Sequence, residues 1–210
     1  MIDIVILPGI GGSGELHWQT RWEKSDPRYR RFQPADWNQP ELKDWISALD
    51  RAVAATSRPP LLVAHSLACL LVAHWQHLST APVAGAFLVA VPNPDAQTFP
   101  VEAASFANPP LSKFRFPSLI LASANDPYGT IDYARQKASQ WGSDIVEWES
   151  LAISMSKAGS RIGRRERHCL RVLQPEPRVD GDLVGRIGVE RDRASRGPFS
   201  SAFSALTLDA

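Results

Sequence analysis

The chain has 210 residues, of which 44% are hydrophobic and 21% charged. It is long enough to bury a sizeable core and too apolar to be wholly disordered. With 23 basic and 22 acidic residues the net charge is +1, which makes no whole-chain case for binding nucleic acid or an anionic membrane. Two cysteines, Cys69 and Cys169, cannot form a disulfide framework, so a reducing cytoplasmic compartment is expected. The opening run Met1-Ile2-Asp3-Ile4-Val5-Ile6-Leu7-Pro8 lacks a basic n-region and carries an acid, unlike a signal peptide. The most apolar stretch, residues 61–75, holds His65, Ser66 and His74, and is too short and polar to span a bilayer.

In chain order, residues 2–7 are an apolar run closed by Pro8-Gly9, the pattern of a buried strand. A glycine-rich loop follows over 9–14, then a helix over 15–24 with Leu16, Trp18 and Trp22 as apolar positions. Residues 30–33 form a weak second strand. Pro40 suits a helical first turn, and residues 41–55 place Leu42, Trp45, Ile46, Leu49 and Val53 at helical spacing. Pro59-Pro60 stops that helix. Leu61–His65 reads as a strand, Leu67–Leu78 as a helix, and residues 83–91 as an all-apolar strand. Residues 92–112, rich in Pro and Ala, read as an irregular connection. Strand 118–122, helix 130–141 and strand Asp144–Trp148 complete the series.

Strand and helix alternate, and the strands lack the period-two alternation of a half-exposed sheet. This predicts a three-layer, doubly wound, mostly parallel α/β sheet of about six strands, with no large inserted lid. Sites in such sheets form at the carboxyl ends of the strands, so the loops of interest are 8–14, 65–67 and 124–129.

The composition changes at residue 150. Residues 1–150 carry 12 basic and 15 acidic side chains, and residues 151–210 carry 11 and 7. All seven Trp and all three Tyr precede residue 150, and ten of the eleven later basic residues are Arg. Stretches such as Arg161-Ile162-Gly163-Arg164-Arg165-Glu166-Arg167 have no apolar periodicity. The expected organisation is a folded domain over 1–150 and a poorly structured, irregular tail over 151–210.

The strand ending at Ala64 runs into His65-Ser66-Leu67 and directly into an apolar helix. A serine at a strand–turn–helix junction is the setting of a nucleophile elbow. The turn brings strand and helix backbones close, so it requires small residues two before and two after the serine. Those are Ala64 and Ala68 here, in place of the usual glycines. A serine that merely caps the helix is the competing interpretation. Acyl transfer also needs two backbone N–H donors aimed at the developing oxyanion. Leu67, just after the serine, supplies one, and Ile10 in the glycine loop is the candidate for the other. The acid of a triad follows a later strand, where Ser123-Ala124-Asn125-Asp126-Pro127 places Asp126.

These segments, with Pro8-Gly9-Ile10-Gly11-Gly12-Ser13-Gly14, His17-Trp18, Arg21-Trp22-Glu23, Asp36-Trp37 and Val91-Pro92-Asn93-Pro94, carry a resemblance. The first 150 residues resemble the small single-domain serine hydrolases of the α/β-hydrolase fold, the family of retinoblastoma-binding protein 9 and the YdeN-type proteins. The resemblance implies Ser66 as nucleophile, Asp126 as triad acid, and hydrolysis of ester or amide bonds in a small-molecule substrate. His17, beside the glycine loop, is a candidate substrate contact. No cofactor or metal is expected, since no Cys/His set has metal-ligand spacing. Cys69 reads as a small core residue, His65 as packed or near the site entrance, and His74 and His77 as exposed at the helix end.

The family pattern would supply the general base from a Gly-His loop after Asp144–Trp148. Here the chain reads Leu151-Ala152-Ile153-Ser154-Met155, and no histidine lies between His77 and His168. One event accounts for both the missing base and the change in composition. Deleting a single G from CTG GGC CAT ATC AAT G, which encodes Leu-Gly-His-Ile-Asn, yields CTG GCC ATA TCA ATG, which encodes Leu-Ala-Ile-Ser-Met. A frameshift near codon 151 is the expectation. Two other functions compete. One is a hydrolase scaffold that binds without catalysing. The other is an NAD(P)-dependent oxidoreductase, because Gly9, Gly11 and Gly14 match a dinucleotide fingerprint with Asp36 downstream.

Overall fold

Residues 3–148 are described by the computed structural model. The fully buried run Ile4–Leu7 forms β1, and the fully buried runs Leu61–His65 and Gly85–Val89 form β3 and β4. The remaining strands are β2 (Tyr29–Arg31), β5 (Ser118–Ser123) and β6 (Asp144–Trp148). All pair in parallel in the order β2-β1-β3-β4-β5-β6. The helices are α1 (Trp18–Ser25), α2 (Leu42–Ala54), α3 (Leu67–Leu78) and α4 (Ile131–Trp141).

Side-chain alternation along the strands assigns the layers. Val5, Leu7, Leu62, Ala64, Ala86, Leu88, Ile120 and Ala122 share one core with Trp45 and Leu49 of α2, the buried face of α3, and Ala134, Ala138 and Trp141 of α4. His65 alternates with Ala64 and so points from the opposite face, where its ring meets His17 and Trp18 at the start of α1. Trp45, Trp75 and Trp141 are wholly buried, and each indole N–H finds an acceptor: Asp36 O at 3.2 Å, Asp50 Oδ1 at 2.7 Å and Pro110 O at 2.9 Å. These three rings therefore add apolar area without leaving a polar atom unsatisfied.

Several boundaries differ from the sequence expectation, each for a local reason. α1 starts at Trp18 rather than residue 15, because His17 is its N-cap and accepts from Gln19 N at 3.3 Å. Glu41 is the N-cap of α2 and Thr130 that of α4, so Pro40 precedes the helix instead of occupying its first turn. β4 ends at Val89, not 91, since Ala90 turns to φ 58°. β2 lies one to two residues earlier than expected, after an Asx turn in which Asp26 Oδ1 accepts from Arg28 N at 2.8 Å. The connection 92–112 contains a short 3-10 helix, Val101–Phe106, anchored by buried Ala103 and Phe106. His77 is exposed, but His74 is half-buried with a ring nitrogen 3.1 Å from Phe106 O.

The order β2-β1-β3 makes β1 and β3 the point where the chain's progression reverses. From β1 it moves to one side of the sheet and from β3 to the other, which opens a crevice at their carboxyl ends. The glycine loop and the Ser66 turn leave the sheet there.

Candidate active site

Ser66 sits between β3 and α3 with φ 55° and ψ −126°, a conformation that L-residues rarely adopt. Its side chain makes no capping bond to α3, which removes helix capping as the reason for the serine. The turn is tied into the structure by Ser66 N–H to Val89 O at 2.9 Å and Cys69 N–H to Ser66 O at 2.8 Å. Ala64 and Ala68 flank it fully buried, in agreement with the small residues such a turn demands. Cys69, also fully buried, has its thiol pushed up by desolvation and serves as a core residue.

The glycine loop passes against this turn. A Cβ built on Gly9 would lie 3.0 Å from Ser66 Cβ, 3.1 Å from His65 O and 3.4 Å from Leu67 N. Further along, Gly11 N–H bonds Trp37 O at 3.0 Å and Gly12 N–H bonds Gly9 O at 3.1 Å. Ile10 N–H, between Gly9 and Gly11, has no partner among the described residues. Leu67 is the first residue of α3, where a helix leaves its N–H groups without intrahelical acceptors. The loop is held from outside by Trp37, whose ring would meet a Gly12 Cβ at 2.9 Å. Arg31 bonds the carbonyls of Gly12 and Ser13 while paired with Glu23 at 2.7 Å. Arg31 does not stand out in the sequence as a site residue, and Trp37 does so only within the Asp36-Trp37 pair of the resemblance; Arg31 reaches the loop from β2, beside β1, and Trp37 by accepting from Gly11 N–H.

Asp126 lies three residues past β5, at the same carboxyl edge. Its Oδ1 accepts from Tyr128 N–H at 2.9 Å, so it also caps the turn that follows β5. Partial burial raises its pKa, with the Tyr128 and Gly129 N–H bonds opposing that shift.

His17 and His65 are neighbours, with ring centroids 4.8 Å apart. Burial lowers His65 to about 3 and His17 to about 4, and each has a nearby positive or titratable ring or guanidinium adding to the effect. His17 Nδ1 is occupied as the acceptor from Gln19 N–H, and His65 Nε2 is buried without a partner. Among the described residues, no histidine bonds Ser66 or Asp126. Folding thus keeps His65 neutral, while the unfolded chain protonates it below pH 6.5. Stability is unaffected by this group above pH 6.5 and falls as pH drops from there toward 3, by up to about 1.4 kcal/mol per pH unit. Replacing His65→Phe, which also removes the unpaired nitrogen, flattens that part of the slope. Urea unfolding of both proteins at pH 7, 6 and 5 measures the difference; parallel pH dependences would contradict it.

The serine hydrolase family profile matches residues 4–159. The chain belongs to the serine hydrolase family. Among solved structures, this serine hydrolase is similar to a YdeN-like hydrolase from Pectobacterium atrosepticum, with 28% identity, a TM-score of 0.63, and coverage of 70% of this chain and 76% of that one. The ydeN product of B. subtilis aligns at 21% identity and TM-score 0.57 over 71% of this chain and 86% of its own. Mouse alpha/beta hydrolase domain-containing protein 10 aligns at 14% identity and TM-score 0.59, covering 80% and 86%. Both of these share the α/β-hydrolase fold with this hydrolase. No curated protein matches it. Among the described residues, no helix is long and apolar enough to cross a membrane.

Proposed function

We propose that this hydrolase cleaves ester or amide bonds of a small substrate, with Ser66 as nucleophile, Asp126 as triad acid, and the N–H groups of Ile10 and Leu67 as the oxyanion hole. The observation that carries the reading is the Ser66 turn: positive φ, a side chain free of capping duty, and the glycine loop packed against it at Gly9. In the reaction Ser66 Oγ attacks the carbonyl carbon and gives its proton to a general base. The oxyanion forms against the two N–H groups, the C–O or C–N bond breaks, and the base protonates the leaving group. Water then repeats the sequence on the acyl-enzyme and restores Ser66.

Among the described residues, no side chain is placed to act as the general base. The Leu151–Met155 stretch, the tail over 151–210 and His168 lie outside the described residues, and the frameshift stays a proposal that the nucleotide sequence through codons 145–175 decides. A second reading, a hydrolase scaffold retained for binding, is favoured by the absence of a placed base among the described residues. The oxidoreductase reading loses support from two contacts. The α1 N-terminus is capped by His17, and Asp36 Oδ1 accepts from Asn38 N–H at 2.7 Å and Gln39 N–H at 3.2 Å.

A fluorophosphonate probe tests the reading without needing turnover. Attack forms a Ser66 Oγ–P bond and expels fluoride, and at pH 9 hydroxide can take the proton. Peptide mapping is expected to find one adduct, on the peptide containing Ser66, and none in Ser66→Ala. An adduct at another residue that persists in Ser66→Ala contradicts the assignment.

A further inference from the structure

Gln19 is a polar residue on the inward face of α1, one turn before Trp22, and it is wholly buried. Its amide nitrogen donates to Leu7 O at 3.1 Å and to Val63 O at 3.0 Å. Its amide oxygen accepts from Ser13 Oγ at 2.8 Å. Two carbonyl acceptors on one side and a hydroxyl donor on the other leave only one chemically consistent orientation of the amide.

The three partners occupy informative places. Leu7 is the last residue of β1, paired with Ala64, and Val63 lies two residues before the end of β3. These are the two strands that part at the sheet's switch point. Past Leu7 the chain reaches Gly9 and Ile10; past Val63 it reaches Ser66 and Leu67. Ser13 closes the far end of the same glycine loop and itself has φ 52°. Its carbonyl accepts from Thr20 Oγ1 at 2.6 Å, so two adjacent residues of α1, Gln19 and Thr20, grip Ser13.

We infer that Gln19 is a positioning residue that sets the spacing between the Ile10 and Leu67 N–H groups by tying both strand ends and the glycine loop to α1. This rests on the proposed role of those N–H groups. Gln19 is wholly buried and its side chain bonds only Leu7, Val63 and Ser13, not Ser66, so its effect is on geometry alone. An oxyanion hole works only with donors 2.7–3.1 Å from the developing charge, and a misplacement of about 1 Å costs on the order of a hundredfold in rate.

The experiment is fluorophosphonate labelling of the full chain at pH 9, resolving the maximal labelling rate from the half-saturating probe concentration, with thermal melting alongside. Gln19→Met fills similar volume without the hydrogen bonds, and Ser13→Ala removes only the loop arm. Gln19→Met is expected to lower the maximal rate about ten- to a hundredfold with half-saturation unchanged, and Ser13→Ala to fall between it and the parent. If Gln19→Met does not fold, the Ser13→Ala rate alone carries the test. A lower melting temperature with an unchanged maximal rate makes Gln19 merely structural and overturns the inference. Failure of the parent chain to label at Ser66 overturns the reading beneath it, which is a different result from a parent that labels and variants that match it.

Discussion

Restoring a histidine after β6 is expected to raise the esterase turnover of this chain by about 10⁴–10⁶-fold. The variant replaces residues 151–210 with Leu-Gly-His-Ile-Asn and its in-frame continuation. Ser66 ordinarily holds its proton at neutral pH, and nothing among the described residues is placed to accept it. His17 is tied to the N-terminus of α1, His65 is buried behind β3, His74 bonds Phe106 O, and His77 is at the exposed end of α3. The unrepaired chain should therefore turn over a p-nitrophenyl ester barely above background, with whatever rate the two N–H groups and binding supply. On the proposed roles, repair would add the proton acceptor, and Asp126 would orient it and balance its charge. Asp126→Asn in the repaired chain should then lose most of the gain. If the unrepaired chain is already fast, another base is in place, and single substitutions of His17, His65 and His168 identify it.

Gly9→Val is expected to lower the activity of the repaired chain by about a hundredfold or more, while Gly14→Ala leaves it within about twofold. Gly9 has no positive φ, so the requirement for glycine there is purely steric. Its missing side chain leaves room for Ser66 Cβ at 3.0 Å and two backbone atoms at 3.1 and 3.4 Å, and backbone at a β–α junction has little freedom to retreat. A valine would push the loop and the Ser66 turn apart, and with them Ile10 and Leu67. Overpacking of this kind also costs about 1–3 kcal/mol, measurable by urea unfolding. Gly14 has nothing within 4 Å of a built Cβ and no positive φ. A dinucleotide-binding loop would need the third glycine for close helix–strand packing, so tolerance at Gly14 with intolerance at Gly9 separates the two functions.

Much of this was legible in the sequence because the signals were local. Leu61–His65 and Leu67–Leu78 have the boundaries their apolar runs predict, since a continuous apolar stretch split by one turn residue leaves few alternatives. The placement of Ser66 and Asp126 at one sheet edge follows from strand parity and from the rule for parallel sheets. What was not legible depended on contacts across the fold. Ala90 ends β4 early through a positive φ that no alanine advertises. The 3-10 helix at Val101–Phe106 is fixed by Phe106 packing on Trp45, from a distant helix. Gln19 reads as one more polar residue in a short helix until the carbonyls of Leu7 and Val63 are seen above it. A glutamine one turn before Trp22, on the stripe that faces the sheet, was the available hint.

The most direct test is a crystal structure of the chain after reaction with a small fluorophosphonate. Continuous density is expected from Ser66 Oγ to phosphorus, with the phosphonyl oxygen about 2.7–3.1 Å from both Ile10 N and Leu67 N. An adduct on any other side chain, or a phosphonyl oxygen turned away from those two N–H groups, would contradict it.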